Sequence, residues 1–493
     1  MDVITVKELQ ALGMSCTALD KLNECLPGRR RTPLLIINNN CWVIGGIERM
    51  VGRLMNYFQD QYKIILLTPP PAKTHFPLPS EIVHVCIDST ISSERTQRIV
   101  DFVKLMSAEL YWGNDNLAAD ALGVYPLLNG TGTKTIMLNH YNWLYPYKWE
   151  AFCSKALKKR NDILDAPDII INLNECSAHM GRLSCRRKIG VIPNPNPYSA
   201  VEYIPESDRE RLVLAVGRFD DWNKRIDRTL TVFNHLAQLD PSVKFLVVGN
   251  LNLNMTMFPT GPTLNETIQK LGLPLNRIEF VPETNHVEQY YKRAKVIVFN
   301  SDSEAFSLCM TEAEQFGIPS VASFFPGIED IITDGENGYL FAPQETAQMA
   351  LKIKELLDDP QLWRKISHRA LQLSKRFSEE RIMQKWDTLF HALLTCSTRP
   401  ELEARLEAVG IIHTNQMSER ALYASIADYE DSLQMIITRL CRCDDCIDNL
   451  AFEQLLLKER IEYLENQLQL EKEKTAQYTE KPPKKFRFFK AKS

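Results

Sequence analysis

The sequence has no apolar run close to the roughly eighteen residues that a membrane-spanning helix needs. Its first residues, MDVITVKELQALGM, also lack the basic start and apolar core of a secretory signal. We therefore expect a cytoplasmic chain. The net charge of -4 over 493 residues argues against nucleic acid as the principal partner, which would require a basic surface.

Motifs for metals and redox cofactors are also missing. The 12 cysteines have no regular spacing, so reduced and mostly buried thiols are expected. Cys441, Cys443 and Cys446 could bind zinc, but no second group has the paired C-x2-C spacing. No D-x-D motif follows a strand to hold a divalent ion, and no G-x-G-x-x-G fingerprint supports a nicotinamide-dependent oxidoreductase. We predict neither a metal nor a cofactor.

Alternating strand and helix patterns are what the chain does have. Short β-branched runs separated by helical stripes predict parallel, doubly wound sheets. The proline-rich segment 191–197, VIPNPNP, interrupts this series and predicts a linker between two α/β lobes. The predicted division is a helical preface at 1–31, lobes at 32–198 and 199–376, a helix at 377–395, a helical extension at 396–480 and a basic aromatic tail at 481–493.

The stretch 294–323, AKVIVFNSDSEAFSLCMTEAEQFGIPSVAS, contains the most informative pattern. It predicts a buried strand, a polar turn and a helix from Ser307 to Phe316, with Glu304 in the loop and Glu312 in the helix. A loop at the carboxyl end of a parallel strand, leading into a helix N-terminus, is where open α/β sheets bind phosphorylated ligands. The alternative is a pair of solvated acids.

Two glutamates separated by seven residues, within SEAFSLCMTEAEQFGIP, resemble the E-x7-E signature of retaining glycosyltransferases of family 4, of the bacterial surface-glycan type. That family has the two-lobed GT-B fold, and the resemblance covers roughly residues 33 to 395. It implies that Glu312 binds the ribose hydroxyls of a nucleotide-sugar donor and that Glu304 binds the donor sugar. It also implies that N–H groups around Phe306, Ser307 and Leu308 face the phosphate and the sugar.

Arg218 and Lys224 flank a turn after the predicted strand LVLAV. They resemble the Arg and Lys of the family's GR…K motif, which holds the donor's diphosphate. Such cations suit the chemistry, because negative charge grows on the diphosphate as the glycosidic bond breaks. Lys224 lies one position farther from Arg218 than is usual, and Arg225 follows it. Which of the two neighbours reaches the phosphate stays open, and an ordinary basic surface turn is the alternative.

The first lobe contributes three further candidates. Gly45 and Gly46 lie between a strand and a helix, where a backbone without Cβ atoms can approach a phosphate, and they resemble the glycine loop of the family's first lobe. The alternative is a tight turn only. His140 follows the predicted strand KTIML and resembles, by position, a histidine near the transferred sugar. A structural histidine is the alternative.

The resemblance implies a retaining glycosyltransferase of the hexosyltransferase type, and the missing D-x-D motif predicts that it works without a metal ion. Its expected donor is a UDP- or GDP-sugar, and its expected acceptor is a glycan or a lipid-linked sugar. By resemblance, 377–395 is the helix that crosses back to the first lobe. The rival hypothesis is a non-catalytic glycan-binding or assembly scaffold, but a site retaining Arg218, Lys224, Glu304 and Glu312 speaks against it.

The C-terminal region departs from the family core. Leu457, Ile461, Leu464 and Leu468 follow heptad spacing, which predicts a short coiled coil or a docking helix and possible self-association through 450–470. The tail 481–493, KPPKKFRFFKAKS, mixes basic and aromatic residues, which favours contact with an anionic membrane surface. A disordered solubilising tail is the alternative. A peripheral position on the inner face of the membrane is therefore a further expectation.

Overall fold

A computed structural model describes most of the chain. The described residues are 3–39, 45–69, 77–87, 92–115, 123–140, 164–182, 189–198, 201–256, 262–412, 425–426 and several residues between 458 and 469. Within these residues, the helices are too short or too polar to span a bilayer. The tail 481–493, the cysteines at 441, 443 and 446, and the aromatic loop at 141–149 lie outside the described residues.

The first lobe is built on an eight-stranded sheet with strand order β1-β4-β3-β2-β5-β6-β7-β8. All neighbouring pairs are parallel except β1 with β4. The central strands are almost wholly buried, as expected for a sheet covered on both faces. The strands are β1 (Met14–Cys16), β2 (Leu34–Asn39), β3 (Lys63–Thr68), β4 (Val83–Ile87), β5 (Leu110–Asp115), β6 (Lys134–Asn139), β7 (Ile169–Asn172) and β8 (Ile189–Val191).

The second lobe is built on a six-stranded, fully parallel sheet with strand order β11-β10-β9-β12-β13-β14. The order reverses direction beside β9, next to β12. At such a switch point the loops at the carboxyl ends of neighbouring strands diverge and leave a crevice. The strands are β9 (Leu212–Val216), β10 (Lys244–Val248), β11 (Ile278–Val281), β12 (Val296–Phe299), β13 (Ser320–Ser323) and β14 (Gly338–Phe341).

Helices cover both sheets, and their apolar faces contribute to the buried clusters of the two lobes. In the first lobe they are α1 (Val6–Ala11), α2 (Leu19–Glu24), α3 (Gly46–Phe58), α4 (Ser92–Met106), α5 (Val124–Leu128) and α6 (Glu175–Arg182). In the second lobe and beyond they are α7 (Ile226–Leu239), α8 (Leu264–Leu271), α9 (Glu288–Arg293), α10 (Leu308–Gln315), α11 (Thr346–Asp358), α12 (Pro360–Ser374), α13 (Glu379–Thr395) and α14 (Arg399–Ala408).

The N-terminal segment is not wholly helical, so the prediction for 1–31 needs correction. Between α1 and α2, strand β1 joins the edge of the first sheet, where Met14 pairs with Ile87 in antiparallel register. A strand of three residues is too short to show a period of two in the sequence. The segment is therefore part of the first lobe's sheet.

Helix α13 packs on the first lobe. The indole of Trp386 stacks on that of Trp112 in β5, with ring centroids 4.8 Å apart. Phe390 lies edge to face with Phe58 of α3 at 5.2 Å. Both tryptophans and both phenylalanines are buried, and burial of such large rings is a strong stabilising contribution. The C-terminal part of the chain is thereby joined to the first sheet.

Residues of the predicted heptads pack within the chain itself. Leu464 and Leu468 are buried in a cluster that contains core residues of the first lobe, and Ile461 packs against the same cluster. This arrangement favours the docking-helix alternative over a free coiled coil. Self-association through 450–470 stays a prediction.

Candidate functional site

The turn after β9 and the loop after β12 meet in the second lobe. The two strands are parallel neighbours, with Ile297 opposite Leu214, so their carboxyl ends lie at one edge of the sheet. Two hydrogen bonds join the loops: the Asn223 side-chain amide donates to the carbonyl of Ser303 at 2.5 Å, and the Asp302 N–H donates to the carbonyl of Asn223 at 2.9 Å. Residues some eighty positions apart in the chain thus form one rigid surface.

Lys224 and Glu304 form the centre of this surface. The Lys224 Nζ donates to Glu304 Oε1 at 2.5 Å, and the Ser301 hydroxyl donates to the same oxygen at 2.7 Å. Their side chains are only 21% and 14% exposed. Burial acts to lower the pKa of Lys224, but the charge and hydrogen bond of Glu304 outweigh it and leave the pKa above its usual value. The lysine is therefore a fixed cation at neutral pH.

The structure distinguishes between Lys224 and Arg225. The Arg225 guanidinium is engaged by Asp227 at 2.8 Å and by Asp302 at 3.1 Å. Its backbone has φ +47°, in the left-handed region, where a non-glycine residue is strained. Lys224 alone of the pair contacts Glu304.

Arg218 lies in the same turn but is exposed. Its carbonyl accepts a hydrogen bond from the Asp221 N–H at 3.1 Å, which closes the turn. Within the described residues, its guanidinium makes no hydrogen bond or ion pair. An exposed forked donor in this turn is suited to bind an anion through two of its oxygens.

Gly46 brings the first lobe to this surface. A Cβ atom built on Gly46 would lie 2.9 Å from Leu308 Cδ1, the first residue of α10. The glycine turn and the glutamate loop are therefore in contact across the lobes. Gly45 is the N-cap of α3 with φ -157°, an extended conformation that any residue adopts.

Glu312 is buried between the lobes. Its Oε1 accepts a hydrogen bond from Arg49 Nη1 at 2.9 Å, and its Oε2 accepts one from the Tyr291 hydroxyl at 2.6 Å. Burial raises the pKa of Glu312, while Arg49 and Tyr291 act in the opposite direction. Arg49 was not among the residues selected from the sequence, because it is 263 positions away from Glu312.

Phe306 and Ser307 precede helix α10 and differ in their surroundings. The Phe306 ring packs edge to face on Phe377, with centroids 5.2 Å apart. Ser307 is the N-cap of α10, yet its side chain makes no capping hydrogen bond. Since the first N–H groups of a helix have no intrahelical acceptor, the α10 N-terminus can bind an anion.

His140 lies in the interior of the first lobe, at the end of β6. Its Nε2 is 2.5 Å from Asn114 Oδ1, and the Asn114 amide donates to Asn39 Oδ1 at 3.0 Å. The Asn39 amide in turn donates to Glu48 Oε1 at 3.5 Å, in the first turn of α3. This chain of polar side chains connects His140 to the helix that begins at Gly46. Burial lowers the pKa of His140 to about 3, so the imidazole is neutral at physiological pH.

The buried imidazole predicts a loss of stability in acid. In the unfolded chain His140 takes up a proton near pH 6.5, whereas in the folded chain it does so only near pH 3. Between these values the unfolded state binds more protons, so the free energy of unfolding falls as the pH falls. From pH 7 to pH 5 we expect a loss of about 2 kcal/mol from this residue. Urea unfolding of the wild type and of His140→Gln at both pH values measures it. An identical pH dependence in the two proteins would contradict the assignment.

Asn174 is a further residue that the sequence analysis missed. Its amide donates to the carbonyl of Ala305 in the glutamate loop, and its Oδ1 accepts the Ser177 N–H at 2.6 Å in the first turn of α6. It also fills the space beside Gly327, where φ is +96° and an added Cβ would lie 2.9 Å from the Asn174 side chain. An asparagine just after a predicted strand was the available signal. Asn174 holds the glutamate loop against the first lobe.

Comparisons with known proteins agree with this arrangement. Residues 202–373 match the family model described as Glycosyl transferases group 1. A Campylobacter jejuni protein, GalNAc-alpha-(1->4)-GalNAc-alpha-(1->3)-diNAcBac-PP-undecaprenol alpha-1,4-N-acetyl-D-galactosaminyltransferase, is 25% identical over 203 residues, which are 41% of this chain and 54% of that protein. The amylovoran biosynthesis glycosyltransferase AmsD of Erwinia amylovora is 21% identical over 370 residues, which are 73% of this chain and 99% of that protein.

Among solved structures, Anabaena HepE in complex with UDP-glucose superposes with a TM-score of 0.58 at 19% identity, covering 73% of this chain and 99% of that chain. This likeness concerns the fold. The chain spans between 21% and 54% of the length of four curated relatives that it matches. The α/β fold with two lobes is confirmed. The chain thus has the GT-B fold, and within it residues 202–373 match the Glycosyl transferases group 1 model.

Proposed function

We propose that the chain is a glycosyltransferase that moves a sugar from a nucleotide-sugar donor to a glycan or a lipid-linked acceptor. One observation carries the proposal. Lys224 and Glu304 are hydrogen-bonded to each other beside the N-terminus of α10, and the first lobe's Gly46 contacts that N-terminus at Leu308. The sequence analysis assigned all four of these features to donor binding: the cation Lys224, the carboxylate of Glu304, the N-terminus of α10 and the glycine turn at Gly46.

The chemistry follows from these groups. As the bond between the sugar and the diphosphate breaks, negative charge grows on the leaving oxygens. Lys224 holds a fixed positive charge, and Arg218 offers a guanidinium that makes no hydrogen bond to any other described residue. The N–H groups of α10 point along the helix axis towards the same loop. The carboxylates of Glu304 and Glu312 are acceptors for hydroxyl groups of the sugar and the ribose. His140, neutral and buried, stays a prediction for the sugar end of the site.

The relatives narrow the substrate class within the proposal. HepE was crystallised with UDP-glucose, which favours a UDP-sugar over a GDP-sugar here. The Campylobacter jejuni protein is named for a glycan attached to undecaprenol diphosphate, and AmsD for amylovoran biosynthesis. A lipid-linked or growing glycan is therefore the acceptor class that we propose. Retention of the anomeric configuration, a hexosyl group and independence from metal ions belong to the same proposal, with Lys224 and Arg218 serving as the neutralising charges.

Calorimetry against UDP, GDP, ADP and their hexose conjugates tests the proposal. We expect micromolar to millimolar binding of one nucleoside diphosphate and slow hydrolysis of the matching sugar donor, unaffected by a chelator. Proton NMR of the released sugar then reports its anomeric configuration before mutarotation. If no nucleotide or nucleotide sugar binds, the transferase proposal is overturned, and the non-catalytic scaffold becomes the better hypothesis.

Membrane contact through 481–493 is a separate part of the proposal, supported by the six basic residues and three phenylalanines of that segment. Anionic lipid attracts the basic residues, and the rings can enter the headgroup layer. Removing 481–493 should then abolish co-sedimentation with phosphatidylglycerol vesicles while sparing donor hydrolysis. Unchanged co-sedimentation would refute the lipid role.

A further inference from the structure

The ion pair between Arg49 and Glu312 joins the two lobes at the proposed donor site. Arg49 lies one turn into α3, where its N–H donates to the carbonyl of Gly45 at 3.1 Å. Its guanidinium reaches Glu312 Oε1 at 2.9 Å in the second lobe. The Glu312 side chain is 4% exposed and the Arg49 side chain 31% exposed. The carboxylate is therefore held by a residue of the opposite lobe.

The remaining hydrogen-bonding capacity of Glu312 is suited to a vicinal diol. A carboxylate has about four acceptor positions on its two oxygens. Arg49 uses one on Oε1, and the Tyr291 hydroxyl uses one on Oε2. One position on each oxygen remains, which is what two neighbouring hydroxyl groups of a ribose require.

The position of Arg49 is otherwise unfavourable. A cation near a helix N-terminus is repelled by the helix dipole, and a buried carboxylate without a nearby cation tends to take up a proton. The pair removes both costs at once. Because the two partners belong to different lobes, the charge and orientation of Glu312 depend on contact between the lobes.

We propose that Arg49 is a positioning residue for donor recognition: from the first lobe it orients Glu312 and keeps it ionised, so that Glu312 can accept hydrogen bonds from both ribose hydroxyls of the nucleotide. This inference rests on the proposed function, because it assumes a nucleotide in the second lobe. It makes ribose recognition a property of the two lobes together.

The test compares two nucleotides and two arginines. UDP and 2′,3′-dideoxy-UDP are titrated into the wild type, Arg49→Gln, Arg49→Lys and Arg53→Gln. Arg53 is a matched control, since it lies one turn further along α3 and pairs with Glu379 at 2.7 Å without touching Glu312. We expect Arg49→Gln to weaken UDP binding about tenfold and to leave binding of the dideoxy nucleotide unchanged. Arg49→Lys should recover part of the loss, and Arg53→Gln should bind UDP like the wild type.

Three results overturn the inference. Equal weakening of both nucleotides by Arg49→Gln would show a merely structural role or a contact with the phosphates. No weakening of either would show that Glu312 does not need Arg49. If Arg53→Gln weakened UDP binding as much as Arg49→Gln does, the effect would come from contact between the lobes in general and not from Arg49 itself. If the wild type binds none of UDP, GDP and ADP, the proposed function itself is wrong. That result can be told apart from the other three, because it concerns the wild type and not the variants.

Discussion

Replacing Lys224 with alanine is expected to lower turnover about a hundredfold or more, the scale of losing one group that stabilises charge in the transition state. Lys224 is the half-buried cation that contacts Glu304. On the proposed function, its loss removes the positive charge beside the diphosphate leaving group and leaves the Glu304 carboxylate without that cation. Steady-state donor hydrolysis measures the effect. The related substitution Arg218→Ala is expected to act in the same direction, because Arg218 offers the second cation of the turn.

A matched control separates chemistry from stability. Lys295 forms an ion pair with Glu206 in the same lobe, with both side chains 14% exposed, and neither residue belongs to the proposed site. Lys295→Ala should lower the melting temperature by about as much as Lys224→Ala but leave turnover near that of the wild type. A folded Lys224→Ala protein with wild-type turnover would remove Lys224 from the site.

Gly249→Ala is expected to cost at least about 3 kcal/mol of the second lobe's stability and to abolish nucleotide binding. Gly249 has φ +138°, and an added Cβ would lie 1.8 Å from the backbone carbonyl oxygen of Gly217. Backbone cannot move aside as a side chain can, so the turn that begins at Gly217 and carries Arg218 must shift. Urea unfolding and UDP calorimetry measure the two consequences.

Gly272→Ala is the control for this substitution. Gly272 also has a positive φ, +59°, but an added Cβ would meet nothing within 4 Å. It should cost about 1 kcal/mol and spare nucleotide binding. If the two variants lost equal amounts of stability and of nucleotide binding, the positive φ alone, and not the contact with Gly217, would account for the effect.

Local patterns were sufficient for most strands of both sheets. Runs such as PLLIIN, YKIILL and AKVIVFN consist mainly of Leu, Ile and Val, and the structure has β2, β3 and β12 at these places. Strand β5 was missed, although it lies between β2 and β6 in the first sheet. Its sequence, LYWGND, ends in glycine and two polar residues, which in isolation favour a turn.

The candidate site residues also fall into two groups, those that a local pattern predicts and those that depend on tertiary contacts. Three motifs could be read from the sequence, because each lies within one strand, turn and helix. They are the spacing of Glu304 and Glu312, the arginine and lysine around the turn at 218–224, and the glycines at 45 and 46. Which of Lys224 and Arg225 contacts Glu304 could not be read from the sequence, since Arg225 has a left-handed backbone and pairs with Asp302, 77 residues further along.

By itself, then, the sequence determined the class of fold, most of its strands, and a short set of charged residues at loop positions, because these depend on neighbours a few residues apart. Only the tertiary structure decided which charges meet. Arg49 with Glu312, Asn174 with Ala305, and Gly46 with Leu308 are contacts between lobes, and their partners are set by the packing of two sheets and the helix α13 that joins them. Long-range contacts of this kind leave no local period or spacing in a single sequence.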